Sequence, residues 1–496
     1  MSGLIRHIAG LSGVGYGINI LEVQPLGAVE GVASSVVGVV ALFPWGPETL
    51  TKITSRAELL ETFYPAAFGT RDSSLWPALR AFLNKSFPAG LRIVRPAVTG
   101  AVAALLTSQD TASGDSVTLT AAHKGALGNA INVEWVANAS DPTARDAVVT
   151  IGSTYSETHK AVATIVDSAL VVTDPGADLY TFTKASGATL VPDVAAAAPL
   201  ATGSDGTVVV GDVTTAIEAF QAASADADIV FVAECPEAFI DAVNAKLLAF
   251  TTGFDKGIGV PSTPAGQAWT DAETYVESYR DDRLFSSWPK VKTIDWFDSD
   301  NPTVTVDGNA FAAAAMANVA PERSPGGAGG NEYLKGIIGL EDETATMVAY
   351  DALNEAGVAP FMMSKPLGGA IIRRAVTTSL TPGKTKLFRR RMFDFIAGSV
   401  SDFAQFYVEK PLDLVLSSKS LGAETGNLVG GITAFLEGLK AGSRIVSYSV
   451  DPFGENTQTN IDAGRWIIAI AVKLYSMQEE IVFYMNVGEG VQIDEA

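Results

Sequence analysis

The sequence predicts a multidomain protein of mixed α/β and α+β class, with an all-β segment inserted into an α/β core. Strands and helices alternate before residue 100 and again after residue 200, which is typical of a parallel sheet covered by helices. Between residues 101 and 200, short runs of alternating polarity are separated by Asp, Gly and Pro, as in a small antiparallel sandwich. From about residue 345 onwards the pattern is of the α+β type.

These changes of pattern divide the 496 residues into six predicted segments. A chain of this length has room for two to four domains, at roughly 100–200 residues per domain. The predicted segments are an extended N-terminal arm (1–22), the first part of an α/β core (23–100), an inserted β domain (101–200), a central α/β domain (201–344), a C-terminal α+β domain (345–463), and C-terminal strands with an arm (464–496).

The first part of the core carries clear signals for its elements. The run from Val29 to Phe43 is mostly apolar, which is typical of a strand buried on both faces. Ser55 or Thr54 is placed as the N-cap of a helix. The predicted elements are a buried strand within 29–43, helices near 55–63 and 73–85, and a strand at 91–95.

The later segments are assigned from the same two periodicities. In the insertion, strands are predicted at 117–120, 132–136, 147–151 and 179–182. In the central domain, the predictions are helices near 213–223, 236–250 and 269–279, and strands at 228–234 and 258–261. Towards the C-terminus, they are helices near 343–356, 384–399 and 427–440, and strands at 370–379, 403–409, 444–450, 465–473 and 480–487.

The composition argues against several classes of function. Hydrophobic residues make up 47% of the chain, and 55 acidic against 34 basic residues give a formal net charge of −21. A surface of this sign repels nucleic acid, so no direct nucleic-acid partner is predicted. The most apolar internal stretch, Val32 to Phe43, is too short to span a bilayer. The N-terminus lacks the continuous apolar segment of an export signal, so neither export nor membrane insertion is expected.

Motifs for cofactors and metals are incomplete. The single cysteine, Cys235, allows neither an intramolecular disulfide nor a cysteine-based metal site, and it is expected to be an inert residue at a strand end. Gly383-Lys384-Thr385 resembles the end of a phosphate-binding loop, but Thr378 stands where the first glycine is required. The glycines at 13, 15 and 17 do not continue into a dinucleotide-binding motif. No cofactor and no metal are therefore predicted.

Histidine is scarce, which argues against acid–base catalysis. The three histidines are His7, His123 and His159, and none of them lies in a zinc-type spacing or beside a nucleophile elbow. The sequence therefore predicts no enzyme and no catalytic residue. A serine-type hydrolase on the α/β region remains an alternative, because the members of a Ser/His/Asp triad need not be adjacent in sequence. An adhesin-like role of the β insertion is another alternative, which no export signal supports.

Several stretches, taken in order along most of the chain, resemble one known family. They are Gly17–Val23 with Val32–Phe43 and Trp45-Gly46-Pro47, then Lys124–Ile131, then Pro199–Gly206, and finally Arg389–Ile396 with Phe406–Glu409 and Ala463-Gly464-Arg465. This order is similar to that in the contractile tail sheath proteins of phages and phage-derived particles. The chain departs from the family at Ala312–Ala320 and at the loop Gly326–Gly330, where the family often has a more aromatic, proline-containing stretch.

The resemblance implies a subunit that polymerises, in stacked six-fold rings, into a helical contractile sheath around a tail tube. Contraction would drive the tube through the envelope of the target cell. The implied partners are further copies of the chain, the tail tube protein, and the baseplate and tail terminator proteins. The implied location is the virion tail, assembled in the bacterial host cytoplasm. The resemblance also implies a subtilisin-like central domain, a C-terminal domain that faces the tube, and an insertion that protrudes outward.

The alternating strand near the N-terminus has no obvious hairpin partner, so its backbone donors and acceptors would be unpaired. An exposed pair of C-terminal strands would also leave unpaired donors and acceptors. The resemblance implies that neighbouring subunits pair with these strands. The alternative is that each terminus completes the sheet of its own domain. The candidate strand-exchange residues are Tyr16, Ile18, Ile20, Val23, Ile467, Ile470, Val472, Ile481, Phe483 and Met485.

Basic residues are clustered in two places of this acidic chain, and both are candidate contacts with the tube or with a neighbouring subunit. The alternative is that they belong to solvated helices with intramolecular ion pairs, or that they stabilise the C-terminal end of a helix. The candidates are Lys384, Lys386, Arg389, Arg390, Arg391, Lys440 and Arg444.

Overall fold

The structure is a computed structural model that describes residues 36–68, 75–83, 90–221, 227–253, 257–295, 300, 302–327, 330 and 334–476. The described residues form two compact units, and the chain passes from the larger to the smaller between Arg391 and Met392. Residues 345–391 belong to the larger unit, and the described residues from Met392 onwards belong to the smaller one. None of the described helices is long and apolar enough to cross a membrane.

The larger unit contains most of the regular structure. Its strands are β1 (Val37–Val40), β2 (Thr51–Ile53), β3 (Leu91–Val94), β4 (Ala103–Gln109), β5 (Asp115–Lys124), β6 (Ile131–Ala137), β7 (Ala144–Ile151), β8 (Tyr155–Val166), β9 (Ala169–Val172), β10 (Tyr180–Lys184), β11 (Ala195–Pro199), β12 (Ile229–Val232), β13 (Ile258–Val260), β14 (Ser286–Trp288), β15 (Val291–Ile294), β16 (Thr303–Val306), β17 (Ile337–Leu340), β18 (Val358–Ser364) and β19 (Gly369–Ile372). Its helices are α1 (Arg56–Phe63), α2 (Leu75–Leu83), α3 (Val210–Glu218), α4 (Ile240–Gly253), α5 (Trp269–Tyr275), α6 (Asn309–Asn318) and α7 (Met347–Ala356).

The core of this unit is a largely parallel sheet in the order β2-β3-β1-β12-β13. β1 pairs in parallel with β3 and β12, and β12 pairs in parallel with β13. A parallel bridge between Gly259 and Leu284 links β13 to the segment that enters β14, and β18 and β19 follow β14 in sheet order. β1 and β12 are buried along their whole length, as expected for parallel strands covered on both faces. The predicted mixed α/β class is confirmed.

Helix α1 begins as the sequence predicts. The Ser55 hydroxyl accepts the Glu58 N–H at 3.1 Å, and the Glu58 carboxylate accepts the Thr54 hydroxyl at 2.7 Å. These bonds satisfy polar groups that a helix N-terminus would otherwise leave unpaired. Ser55 is therefore the N-cap, and Thr54 supports it from outside the helix.

Residues 103–199 form two antiparallel sheets within the larger unit. One sheet has the order β10-β5-β4 and the other β11-β6-β7-β8-β9. Buried residues alternate with partly exposed ones along β6 and β7, which is the pattern of strands with one face towards a core. Trp135, Tyr180 and Phe182 are among the buried aromatic residues of this core. The all-β character predicted for 101–200 is thus present in the structure.

The smaller unit is described from Met392 to residue 476. Its elements are the C-terminal part of α8 (Leu387–Ala404), then β20 (Leu414–Val415), β21 (Ser420–Leu421), α9 (Ala423–Ala441), β22 (Ser447–Asp451), α10 (Gln458–Asp462) and β23 (Ala469–Lys473). Its core is formed by apolar residues that recur every three or four positions along α8 and α9, as in amphipathic helices. They are Met392, Phe395, Ile396, Phe403, Leu428, Ile432, Leu436 and Leu439.

The strand predicted at 403–409 is wrong. Helix α8 continues to Ala404, and Gln405–Tyr407 forms a 3-10 turn. The buried Phe403 extends the helical spacing of Phe395 and Ile396 by two turns, so packing in the core outweighs the strand preference of the aromatic and β-branched residues. Phe406 and Val408 consequently lie exposed, at 70% and 68%.

Alanine substitutions at two adjacent glycines of α9 are expected to change the free energy of unfolding in opposite directions. A methyl group at exposed Gly430 would meet no heavy atom within 4 Å, whereas one at Gly431 would overlap the buried ring of Phe403. Gly430→Ala should raise the free energy of unfolding by about 0.5–1 kcal/mol through helix propensity. Gly431→Ala should lower it by about 1–2 kcal/mol, because the overlap outweighs the same propensity gain. Urea denaturation of both variants checks this, and equal effects at the two sites would contradict the packing of α8 on α9.

Candidate functional site

The smaller unit presents a two-stranded antiparallel sheet with open edges. β22 pairs with β23, with Cα partners running from Ser447–Lys473 to Asp451–Ala469. Within the part of the chain that the structure describes, each of these strands has one hydrogen-bonded neighbour. The outer edge of each strand therefore offers backbone donors and acceptors to a further strand.

The structure describes some of the predicted strand-exchange residues and places their side chains. Ile470 and Val472 pack against the core that α8 and α9 form, so these side chains are used within the unit. The side-chain amide of Asn456 holds the backbone of Ile467, donating to its carbonyl at 2.6 Å and accepting its N–H at 2.8 Å. This arrangement favours the intramolecular alternative for the side chains of Ile470 and Val472, while no strand among the described residues pairs with the outer backbone edge of β23.

The remaining strand-exchange candidates lie outside the described residues. They are Tyr16, Ile18, Ile20, Val23, Ile481, Phe483 and Met485. Strand exchange through these residues stays a prediction.

The first basic cluster is held by contacts within the larger unit. The carboxylate of Asp282 forms ion pairs with Lys384 at 3.2 Å and with Arg390 at 3.3 Å. Asp282 and Arg390 are largely buried, whereas the side chain of Lys384 is 57% exposed. The turn that resembled a phosphate-binding loop is therefore pinned by Asp282 at the start of α8.

Arg391 is buried and caps a helix. Its guanidinium donates to the carbonyls of Met316 and Val319, both at 2.7 Å, at the C-terminal end of α6. Burial lowers the pKa of Arg391 to about 10, although the carboxylates of Asp228 and Glu322 oppose the shift. A cation favours this end of a helix. Because Arg391 is 4% exposed, its position favours the intramolecular alternative.

The other basic candidates are more accessible. Arg389 is exposed on α8 with its guanidinium 5.9 Å from the centre of the Phe388 ring, and Lys386 is half-buried. At the end of α9, Lys440 forms an ion pair with Glu437 at 3.5 Å. The guanidinium of Arg444 lies 4.6 Å from the centre of the Phe395 ring. Arg389, Lys384 and Lys440 therefore remain candidates for contact with another chain.

A junction that the sequence did not predict joins the insertion to the parallel sheet. Arg95 follows β3 and donates to three carbonyls, those of Phe43 at 2.8 Å, Gly46 at 3.0 Å and Lys124 at 2.9 Å. Its side chain is buried, which lowers the pKa of the guanidinium. We call this arrangement the Arg95 clamp. In the sequence, the junction is marked by an arginine that directly follows a buried strand and precedes Pro96.

Two of the stretches that carried the family resemblance meet beside the Arg95 clamp. The side-chain amide of Asn129 donates to the Gly203 carbonyl at 3.0 Å and accepts the Gly203 N–H at 2.9 Å. The Asp205 carboxylate accepts the Ala126 N–H at 2.8 Å. Gly125 has a φ of 134°, and a methyl group there would lie 3.0 Å from the Pro44 carbonyl, so only glycine fits. These residues form the neck through which the chain enters and leaves the insertion.

The two histidines that the structure describes lie in the insertion, and each is next to an aromatic side chain. His159 Nε2 lies 2.5 Å from the Tyr180 hydroxyl. The ring of His123 packs edge-on against Trp45, with centroids 5.2 Å apart, and burial lowers the pKa of His123.

The cysteine and the acidic residues are further candidates for metal ligands or reactive groups. Burial raises the pKa of the Cys235 thiol to about 12. Among the described residues, no group of three or more His, Cys, Asp or Glu side chains is placed to hold a metal ion.

Comparisons with known proteins identify the fold. No protein-family model matches the sequence, and no curated protein matches it either. The sheath tail protein from Desulfitobacterium hafniense superposes with a TM-score of 0.58 at 16% identity, covering 93% of this chain and 100% of that chain. The sheath tail protein from Listeria innocua gives 0.59 at 14% identity, covering 90% and 96%.

A third solved structure is the helical sheath of the anti-feeding prophage in the contracted state. It superposes with a TM-score of 0.55 at 14% identity, covering 97% of this chain and 99% of that chain. The chain therefore has the fold of sheath tail proteins, and the predicted resemblance is confirmed at the level of the fold.

Proposed function

We propose that this chain is a structural subunit that polymerises into a helical contractile sheath. The observation that carries the proposal is the shared fold, which extends over 90–97% of the chain in structures of sheath tail proteins and of a helical sheath. The match includes nearly all of each compared chain, so it is not a likeness of one common domain. A fold that is shared from end to end supports a shared mode of assembly more strongly than a single domain would.

The open-edged sheet of β22 and β23 supports assembly by strand addition. The sheet packs against the core that α8 and α9 form, and an added strand would satisfy one outer row of its backbone groups. The segments 16–23 and 480–487 have the alternating polarity of such strands. In this proposal, copies of the chain donate these segments to the sheets of their neighbours, so that six-fold rings of subunits are linked into a helical stack.

The proposal extends to the work that the assembly performs. Contraction of the sheath drives a tail tube through the envelope of the target cell, and the tube, baseplate and tail terminator proteins are the further partners. The particle assembles in the bacterial cytoplasm, and the sheath forms part of its tail. A subtilisin-like arrangement of the central domain and an outward position of the insertion belong to the same proposal.

A structural rather than enzymatic role is supported by what occupies the carboxyl end of the parallel sheet. In open α/β sheets, ligands bind in the crevice at the carboxyl ends of the strands. Here, the Arg95 clamp and the neck of the insertion lie after β1 and β3. Both described histidines lie in the insertion, and His7 precedes the core. The hydrolase alternative has no specific observation in its favour.

Negative-stain electron microscopy of the concentrated full-length protein tests the proposal. We expect hollow tubes with a regular helical lattice, because the fold and the open edges supply self-complementary contacts. If dispersed particles are seen, the grid is repeated with the tail tube protein present as a template. Dispersed particles under both conditions would contradict the sheath proposal.

A further inference from the structure

Two carboxyl side chains are close together at the carboxyl end of β12. Glu234 lies two residues after this strand, and Asp307 lies two residues before α6. The Glu234 carboxylate accepts the backbone N–H of Asp307 at 2.8 Å. Glu234 adopts a φ of 45°, which is unusual for a residue with a side chain. The backbone is therefore held in a costly conformation that turns this carboxyl group inward.

The groups that bind the Asp307 carboxylate directly are polar and uncharged, and the ammonium group of Lys290 acts on it from a greater distance. Its carboxylate accepts the N–H groups of Thr263 at 3.1 Å and of Asn309 at 3.2 Å, and the residue is 2% exposed. Among the described residues, neither Glu234 nor Asp307 forms an ion pair within 4 Å. Two ionised carboxylates in such a place would repel each other without a direct counter-ion.

An unpaired acceptor lies beside this pair. The Asn309 amide group donates to the Val232 carbonyl at 2.9 Å and to the Ser262 hydroxyl at 3.3 Å. Its Oδ1 atom is buried without a hydrogen-bond partner, and Asn309 is fully buried. A buried acceptor of this kind requires a donor. An ionised carboxylate cannot supply one, whereas a protonated carboxyl group can.

We propose that Glu234 and Asp307 together carry one proton at neutral pH and that this buried proton holds α6 against the end of β12. Loss of the proton at alkaline pH would place two negative charges together beside α6, which is buried from Asn309 to Ala317. The helix N-terminus favours negative charge, but the mutual repulsion and the desolvation of two buried carboxylates act in the opposite direction. The pair is thus a pH-sensitive device in the core of the larger unit, independent of the role in sheath assembly.

The electrostatics of the pair agree with this arrangement. Burial, with the neighbouring Asp307 carboxylate, raises the pKa of Glu234 to about 8. Burial raises the pKa of Asp307 to about 6. Lys290 opposes both shifts and pairs with Glu237 at 3.6 Å. The other titratable groups that face the pair are the thiol of Cys235 and the hydroxyl of Tyr279, and burial raises the pKa of each.

The sign of the pH dependence follows from linkage. Because the pKa of each carboxyl group is higher in the folded than in the unfolded protein, the folded state binds the extra proton. The stabilisation is complete below the unfolded pKa values and is lost as pH rises towards about 8. One such proton changes the unfolding equilibrium constant by up to tenfold per pH unit within this window.

Urea denaturation of the full chain between pH 5 and pH 9 tests the proposal. We expect Glu234→Gln to remove most of the fall in stability between pH 6 and pH 8, since glutamine keeps an acceptor for Asp307 and supplies a donor. Glu277→Gln is the matched control, because Glu277 lies in the same unit, its side chain is 65% exposed, and it pairs with Arg280 rather than with Lys290. The control should keep the wild-type slope. The same slope in both variants would overturn the proposal.

Infrared spectroscopy gives a second measurement if Glu234→Gln fails to fold. Ordinary Asp and Glu side chains are ionised at pH 7, so a protonated carboxyl band in the folded wild-type protein reports a buried proton. We expect such a band at pH 7 and its loss on titration to pH 9 with the protein still folded. Absence of the band at pH 7 would overturn the proposal without any variant.

Discussion

Replacing Arg95 with methionine is expected to lower the free energy of unfolding of the larger unit by about 3 kcal/mol. The substitution leaves the carbonyls of Phe43, Gly46 and Lys124 without their donor, and each unpaired buried group costs about 1–3 kcal/mol. Removing the buried charge and burying an apolar side chain return about 1–2 kcal/mol. The lost hydrogen bonds therefore outweigh the relief of desolvation.

The position of the Arg95 clamp makes a second readout possible. Because the clamp ties the end of β3 to the end of β5, its loss should expose the neck to proteolysis before the parallel sheet unfolds. Urea denaturation combined with limited proteolysis measures both effects. Lys124→Met is the matched control, since it keeps the backbone carbonyl that Arg95 binds and removes a 45% exposed side chain that forms an ion pair with Glu48 at 2.9 Å. That exposed ion pair is worth at most about 1 kcal/mol. Equal stability losses in the two variants would show that the clamp does not hold the neck.

Elements with a strong local signal could be predicted from the sequence. The apolar runs Val37–Val40 and Ile229–Val232 are parallel strands, as expected for short segments that are buried on both faces of a sheet covered by helices. Helix α1 begins at the predicted cap because the signal, Ser55 with Glu58, lies within a few residues. The strand predicted at 403–409 failed because local preference competed there with helical packing of Phe403 in the core.

Contacts between distant segments could not be predicted in the same way. The carbonyls that Arg95 binds are backbone groups, and backbone groups leave no mark in the sequence. Glu234 and Asp307 are far apart in the chain. Each is one of 55 acidic residues, and the default expectation for an acidic residue is a position on the solvated surface. Arg391 stood out as part of a basic cluster, yet it lies buried at the end of α6. Charge alone indicates where a side chain could bind, whereas burial decides whether another chain can reach it.

Deleting residues 1–22 is expected to abolish the formation of helical tubes while leaving the protein folded. In the proposed assembly, the segment 16–23 pairs with the sheet of a neighbouring subunit and buries several apolar side chains there. Each buried side chain of this kind contributes about 1.5–3 kcal/mol, and a loss of about 3 kcal/mol already raises the critical concentration about 100-fold. The core clusters formed by the described residues involve residues 37–445, and the deletion variant retains all of these residues. Electron microscopy with a thermal unfolding curve of the same sample checks both parts.

Point variants distinguish strand addition from a general effect of shortening the chain. Ile18→Lys with Ile20→Lys places charges on one face of the alternating segment, whereas Asn19→Lys places a charge on the other face. If the face with Ile18 and Ile20 is buried against a neighbouring sheet, the double variant should block tubes and the Asn19 variant should still form them. Tubes of normal length from the double variant would exclude this segment as the donated strand. In that case the outer edge of β23 and the segment 480–487 would be the remaining candidates for the link, because an assembly without the N-terminal arm needs another strand to join its subunits.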